Sequence, residues 1–197
     1  MMKAGLRRIT ESGTFMWPWS ATRGVAVISG AAGGGGGGGG AFCMQGLNLH
    51  GAAGGGGGGG GAATTLQFGQ RLHVASGGNG GGGGSSGGIT RDGKPLHGNN
   101  GRGCNFGRSD GGKGATLDET DDRVVANGGD GGRGCPGETV IVELSELSGG
   151  DIFEITVGQG GGGGGGGQGF ESGGDGRRGI DGDVLFVPVY DEQDVAR

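Results

Sequence analysis

The residues that could do chemistry are few and poorly spaced for it. The histidines are His50, His73 and His97, each read as a loop or strand residue with no carboxylate set to orient it as a base. Cys43, Cys104 and Cys135 are an odd, widely separated set. They lack the paired spacing of a zinc site, and the histidines do not supply it. No disulfide framework is expected, and all three read as small packed or surface thiols. Asp118, Glu119, Asp121 and Asp122 cluster, but without the alternating ligands and central Gly of a calcium loop. They read as a solvated loop.

Two glycine motifs imitate nucleotide sites. Residues 25–33 resemble a strand entering a dinucleotide loop, yet poly-Gly cannot form the helix whose N-terminus holds a pyrophosphate. Residues 107–113 have the spacing of a P-loop, but Gly114 follows where a Ser or Thr should meet magnesium. No catalytic residue, cofactor or metal is therefore expected, and the chain does not read as an enzyme.

The elements that would position any site are unusual. Of 197 residues, 63 are Gly, while apolar residues make up 30% and aromatics 5%. A conventional globular core needs more large side chains than that. Collagen is excluded by only four Pro and no chain-long period. The net charge of −5, with no basic stripe, argues against a nucleic-acid partner. The Gly runs are too weakly hydrophobic to insert into a membrane. No signal peptide is read at the start, so synthesis in a cytoplasm is expected.

Glycine falls in blocks. Runs of eight occupy 33–40, 54–61 and 160–167, and a shorter one occupies 80–84. Gly128, Gly131, Gly134 and Gly137 recur at every third position, as do Gly173, Gly176, Gly179 and Gly182. A polyproline-II-type helix has three residues per turn, and poly-Gly adopts the same geometry. The eight-Gly runs thus read as inner helices. The period-three blocks read as outer ones, with Asp130, Arg133, Asp175, Arg177 and Arg178 in water. Ordering such segments costs on the order of 1–2 kcal/mol per residue, which only hydrogen bonds between neighbouring helices can offset.

Strands are expected over 25–28, 64–68, 71–74, 139–144, 152–157 and 184–189, with turns at Gly69-Gln70 and 148–151. Residues 117–126 and 142–147 could each hold a turn of helix. The fold expected is mainly β: a small sheet or sandwich base, a bundle of about eight polyglycine-II helices, and almost no α-helix. The helices run out and back, leaving 41–53, 85–97, 115–127 and 170–172 at the far end. Residues 1–12 form an attachment segment, 13–190 one domain, and 191–197 an acidic tail.

Three stretches carry a resemblance. The first runs from Gly13-Thr14-Phe15-Met16-Trp17-Pro18 to Gly24-Val25-Ala26-Val27-Ile28-Ser29-Gly30 and straight into poly-Gly. The second, Phe153-Glu154-Ile155-Thr156-Val157-Gly158-Gln159-Gly160, leads into another run, and 182–190 close the pattern. The chain resembles the glycine-rich domain of bacteriophage tail proteins. In architecture alone it resembles the polyglycine-II adhesins on some T-even-type fibre tips. The resemblance implies a virion protein at a tail fibre or tail tip. It implies partners among other tail proteins, a bacterial surface receptor, and a homo-oligomer such as a trimer.

The receptor-contact candidates are Phe42, Met44, Leu47, Leu49 and His50 in the first far loop. Arg91, Lys94 and Leu96 follow in the second, Leu117 in the third and Phe170 at the last turn. Exposed apolar groups at a tip often mark binding surfaces. A purely structural cap or connector is the alternative reading, and an ice-binding protein the third.

Overall fold

The computed structural model describes residues 5–107, 109–118 and 123–190. The acidic tail and most of the 118–122 cluster lie outside them. Among the described residues the protein is all-β, without a helix.

Two four-stranded antiparallel sheets form the base. One holds β1 (Arg7–Ile9), β13 (Asp183–Val189), β3 (Arg23–Ser29) and β11 (Thr139–Leu144), in that order. The other holds β2 (Gly13–Met16), β12 (Ile152–Thr156), β6 (Thr64–Phe68) and β7 (Arg71–Ala75). The six expected strands are all present, divided equally between the sheets. Each sheet is completed by a short N-terminal strand that the sequence reading left inside longer segments.

Alternation selects the buried faces. Ala26 and Ile28, Val142 and Leu144, Phe153 and Ile155, and Val184 and Phe186 all turn into one core. Aromatics fill its middle. Phe15 stacks on Phe186 at 4.6 Å, Phe68 on Phe153 at 4.6 Å, and Trp17 meets Trp19 edge-on at 4.5 Å. Buried Trp17 donates its indole N–H to the Ala21 carbonyl at 2.9 Å, so no polar atom is stranded there.

The glycine segments leave this base, and their backbones bond to one another with a period of three. The N–H groups of Gly33, Gly36 and Gly39 donate to Cys135, Gly132 and Gly129. Those of Gly34, Gly37 and Gly40 donate to Gly59, Gly56 and Ala53. Those of Gly35 and Gly38 donate to Arg177 and Gly174. The carbonyls of the same run accept from three further segments, through Gly81 and Gly84, Gly112 and Ala115, and Gly164 and Gly167. Segment 31–40 therefore has six neighbours. It donates to three that run antiparallel to it and accepts from three that run parallel. Segment 98–103 lies outside this ring, bonded to 82–85 and 127–130.

Side-chain space explains why one run is pure glycine. A Cβ at any of residues 33–40 would stand 2.0–2.3 Å from a backbone oxygen. The other two eight-Gly runs are not enclosed in this way. In 54–61, only Gly55, Gly58 and Gly61 face such a clash, at 2.2 Å. In 160–167, Gly162 and Gly165 have nothing within 4 Å of an added Cβ. The expectation of three inner runs is corrected to one, because one segment can have six neighbours only if the others form its surround.

The cysteine reading is also corrected. Cys104 and Cys135 form a disulfide with Cα atoms 5.2 Å apart, and Cys43 is buried and free. The pairing is invisible in sequence spacing because hydrogen bonding between segments, not chain proximity, aligns the two residues. The bridge ties the peripheral segment 98–104 to the strand-proximal end of 128–137.

Substitutions at the glycines and at the bridge test this packing. Gly37→Ala should destabilise by at least about 1–3 kcal/mol, since backbone must move to admit the methyl. Gly165→Ala should stay within about 0.5 kcal/mol of the parent in the same denaturant melt. Replacing Cys104 and Cys135 by Ser should cost about 3–4 kcal/mol for a bridge of sequence separation 31, and should speed amide exchange first in residues 98–103.

Candidate functional site

The far ends of the glycine segments carry a second, smaller β assembly. β4 (Phe42–Gln45) lies between β10 (Arg123–Ala126) and β5 (Asn48–His50). β8 (Gly88–Ile89) and β9 (Pro95–Leu96) form a hairpin beside β10. The residues of β10 lie within 117–126, where a helical turn was expected. Val124 and Val125 are β-branched, and pairing with Met44 and Cys43 decides in favour of the strand.

Local chemistry closes each turn. Gly46 at φ 58° and Gly93 at φ 75° supply the left-handed conformations of the two hairpins. In the second, the Thr90 N–H donates to the Lys94 carbonyl at 2.8 Å and the Thr90 hydroxyl accepts the Lys94 N–H at 3.1 Å. The last turn joins the first loop through a bridge between Ala41 and Glu171. There the Phe170 ring meets His50 edge-on at 5.1 Å.

Four separate loops thus converge. Leu47 is fully exposed, and Leu49, Leu96 and Phe170 are 62%, 58% and 44% exposed. His50, Arg91 and Lys94 are exposed as well. Phe42 does not join this surface. It is 5% exposed in β4, opposite Ala126 of β10, so its candidacy as a contact residue is withdrawn. Met44 and Leu117 are half-buried. The sequence reading expected no sheet near this end, and the β4–β10 pairing is what draws Phe42 inward.

Polar side chains anchor the loop roots. His97 Nδ1 accepts the Asn127 N–H at 3.0 Å, and Asn127 Oδ1 accepts the Leu117 N–H at 2.8 Å. Asp130 accepts the Gly114 N–H at 2.8 Å and pairs with Lys113 at 3.0 Å. The Gly114 hydrogen bond, followed by that from Lys113, holds the Asp130 carboxyl below its ordinary range. Asp175 and Asp181 likewise accept the N–H groups of Gly166 and Gly160. The charged residues of the period-three blocks therefore terminate the backbone lattice as well as facing water.

Elsewhere, a polar cleft of about 140 Å³ in the base is lined by residues that include Arg8, Thr139, Asp181 and Asp183. No histidine or cysteine lines it. Among the described residues, no three His, Cys, Asp or Glu side chains group as metal ligands. No family model, curated protein or solved structure matches the chain.

A depressed carboxyl pKa gives a signed expectation. The stabilisation from Asp130 is fully present above the unfolded carboxylate pKa and is lost as pH falls through the folded one. Asp130→Asn should therefore be less stable than the parent near neutral pH, and the gap should narrow in melts taken down to about pH 3.

Proposed function

We propose that this chain is a bacteriophage tail-fibre or tail-tip protein, an adhesin whose far loops meet the host surface. The observation that carries the reading is the tip itself. Leu47, Leu49, Leu96 and Phe170 come from three loops, stand exposed at one end, and are flanked by Arg91 and Lys94. Exposed apolar side chains on a small folded platform fit a binding surface better than a solvated loop end.

The glycine segments act in this reading as a polyglycine-II spacer. Support comes from the three-residue period of their hydrogen bonds and the six-neighbour surround of 31–40. None of their glycines appears among the positive-φ residues, as expected of a left-handed threefold helix. Ten residues at about 3.1 Å each would hold the loops roughly 30 Å from the base. Pre-ordered loops lose less entropy on binding, which is what a rigid spacer contributes.

A second reading is a structural connector without receptor contact. The base favours it: Met16 and Ile152, paired across β2 and β12, are 62% and 59% exposed on the outer sheet face. In the adhesin reading the same patch docks to another tail protein. A homo-oligomer, such as a trimer on a fibre, is part of this proposal.

The two readings separate on one experiment. Phage carrying Leu47→Asp and Leu49→Asp should assemble normally and adsorb to host cells at least about tenfold more slowly. Normal adsorption by assembled particles would assign the chain to a connector. The spacer is tested on the purified protein, where amides of 33–40 should exchange far more slowly than those of 54, 57 and 60.

A further inference from the structure

The peripheral segment 98–103 reveals what the outside of this lattice accepts. It lies in the groove between 78–87 and 128–137. One wall donates to it, through Gly82 N–H to the Arg102 carbonyl and Ser85 N–H to the Asn99 carbonyl. The other wall accepts from it, through the carbonyls of Asn127 and Asp130. Gly98 and Gly101 point inward, where a Cβ would stand 2.1 Å from the Ser85 oxygen and 2.0 Å from that of Gly82. Asn99, Asn100 and Arg102 are exposed. The seat therefore takes an extended chain with Gly at every third position and any polar residue between.

A groove with the same kind of walls lies open on the other side. It runs between 54–61 and 160–167, which are joined through Gly56 N–H to Gly165 and Gly59 N–H to Gly162. The N–H groups of Gly162 and Gly165 have no partner among the described residues, and a Cβ on either would meet nothing within 4 Å. On the opposite wall the carbonyls of Gly57 and Gly60 accept no backbone bond among those residues, whereas those of Gly58 and Gly61 face segment 77–84. Neither wall carries a side chain. By contrast, Asp175 and Asp181 take up the N–H groups between 160–167 and 173–182. Asp130 does so between 109–115 and 128–137.

We propose that the groove between 54–61 and 160–167 docks a glycine-rich segment of another protein chain, with Gly at every third residue. That segment would accept from Gly162 and Gly165 on one wall and donate to the carbonyls of the other. A second copy of this chain suits the face less well. A twofold contact presses one such groove against its own equivalent, whereas the seat seen at 98–103 is filled by a single extended segment. The inference rests on the polyglycine-II reading of the segments.

The probe is a fluorescein-labelled peptide of about five Gly-Asn-Asn repeats, titrated with the full chain and read by fluorescence anisotropy. Saturable binding is expected, weakened at least about tenfold by Gly162→Val with Gly165→Val, with the parent melting curve retained. No saturation up to about 1 mM, equal binding by the double variant, or equal binding of an Ala-Asn-Asn peptide would overturn the proposal. Amide exchange on the same sample separates the two levels. Slow exchange across 33–40 without peptide binding defeats the docking inference alone, whereas free exchange defeats the polyglycine-II reading with it.

Discussion

The structure depends on backbone hydrogen bonds between segments that have no side chains to bury. Fixing a glycine costs more conformational entropy than fixing any other residue, and hydrophobic transfer cannot offset it. Each inter-segment N–H···O=C bond contributes about 1 kcal/mol net, so one pair of segments would not stay together. Segment 31–40 meets the condition by donating to three neighbours and accepting from three others. The enclosure also sets the sequence. Where a Cβ would stand 2.0–2.3 Å from a carbonyl oxygen, any other residue forces the backbone to move.

A lattice of this kind has no means of setting its own register, because one glycine resembles the next. The base supplies it. β3 runs directly into the central segment, β11 and β13 lie at either side of β3, and aromatic packing around Phe153 and Phe186 fixes all three. At the other end, the β4–β10 pairing, the hairpin β8–β9 and the contact of His50 with Phe170 tie the loops together. Side chains appear where the lattice ends. Asp130, Asp175 and Asp181 take N–H groups that have no further segment to meet, and the Cys104–Cys135 bridge secures the outermost segment. The division into a packed base, a side-chain-free middle and a small folded tip is what makes a spacer bearing a binding surface the best reading of the molecule.

Much of this was legible from local pattern. Alternation at 139–144 and 152–157 named the strands and their buried faces, because a strand with one face in a core must alternate. Gly69, at φ 57°, marked the β6–β7 turn for a conformational reason that acts within a few residues. The far-end placement of four loops was readable from the glycine segments running out from the base and back. The burial of Phe42 was not, since it follows from pairing with residues some eighty positions away. Nor was the disulfide, whose two cysteines are brought together only by neighbouring segments.

By itself, then, the sequence determined six strands of the base, the glycine period, the out-and-back course and the far-end location of the candidate contact residues. These are properties of local spacing, which the chain carries whatever it folds against. Tertiary structure alone decided which eight-Gly run is enclosed, which cysteines pair, and which apolar tip residues stay exposed. The runs 33–40, 54–61 and 160–167 are identical as sequence. They differ in how many neighbours surround each one, and that number belongs to the assembled fold.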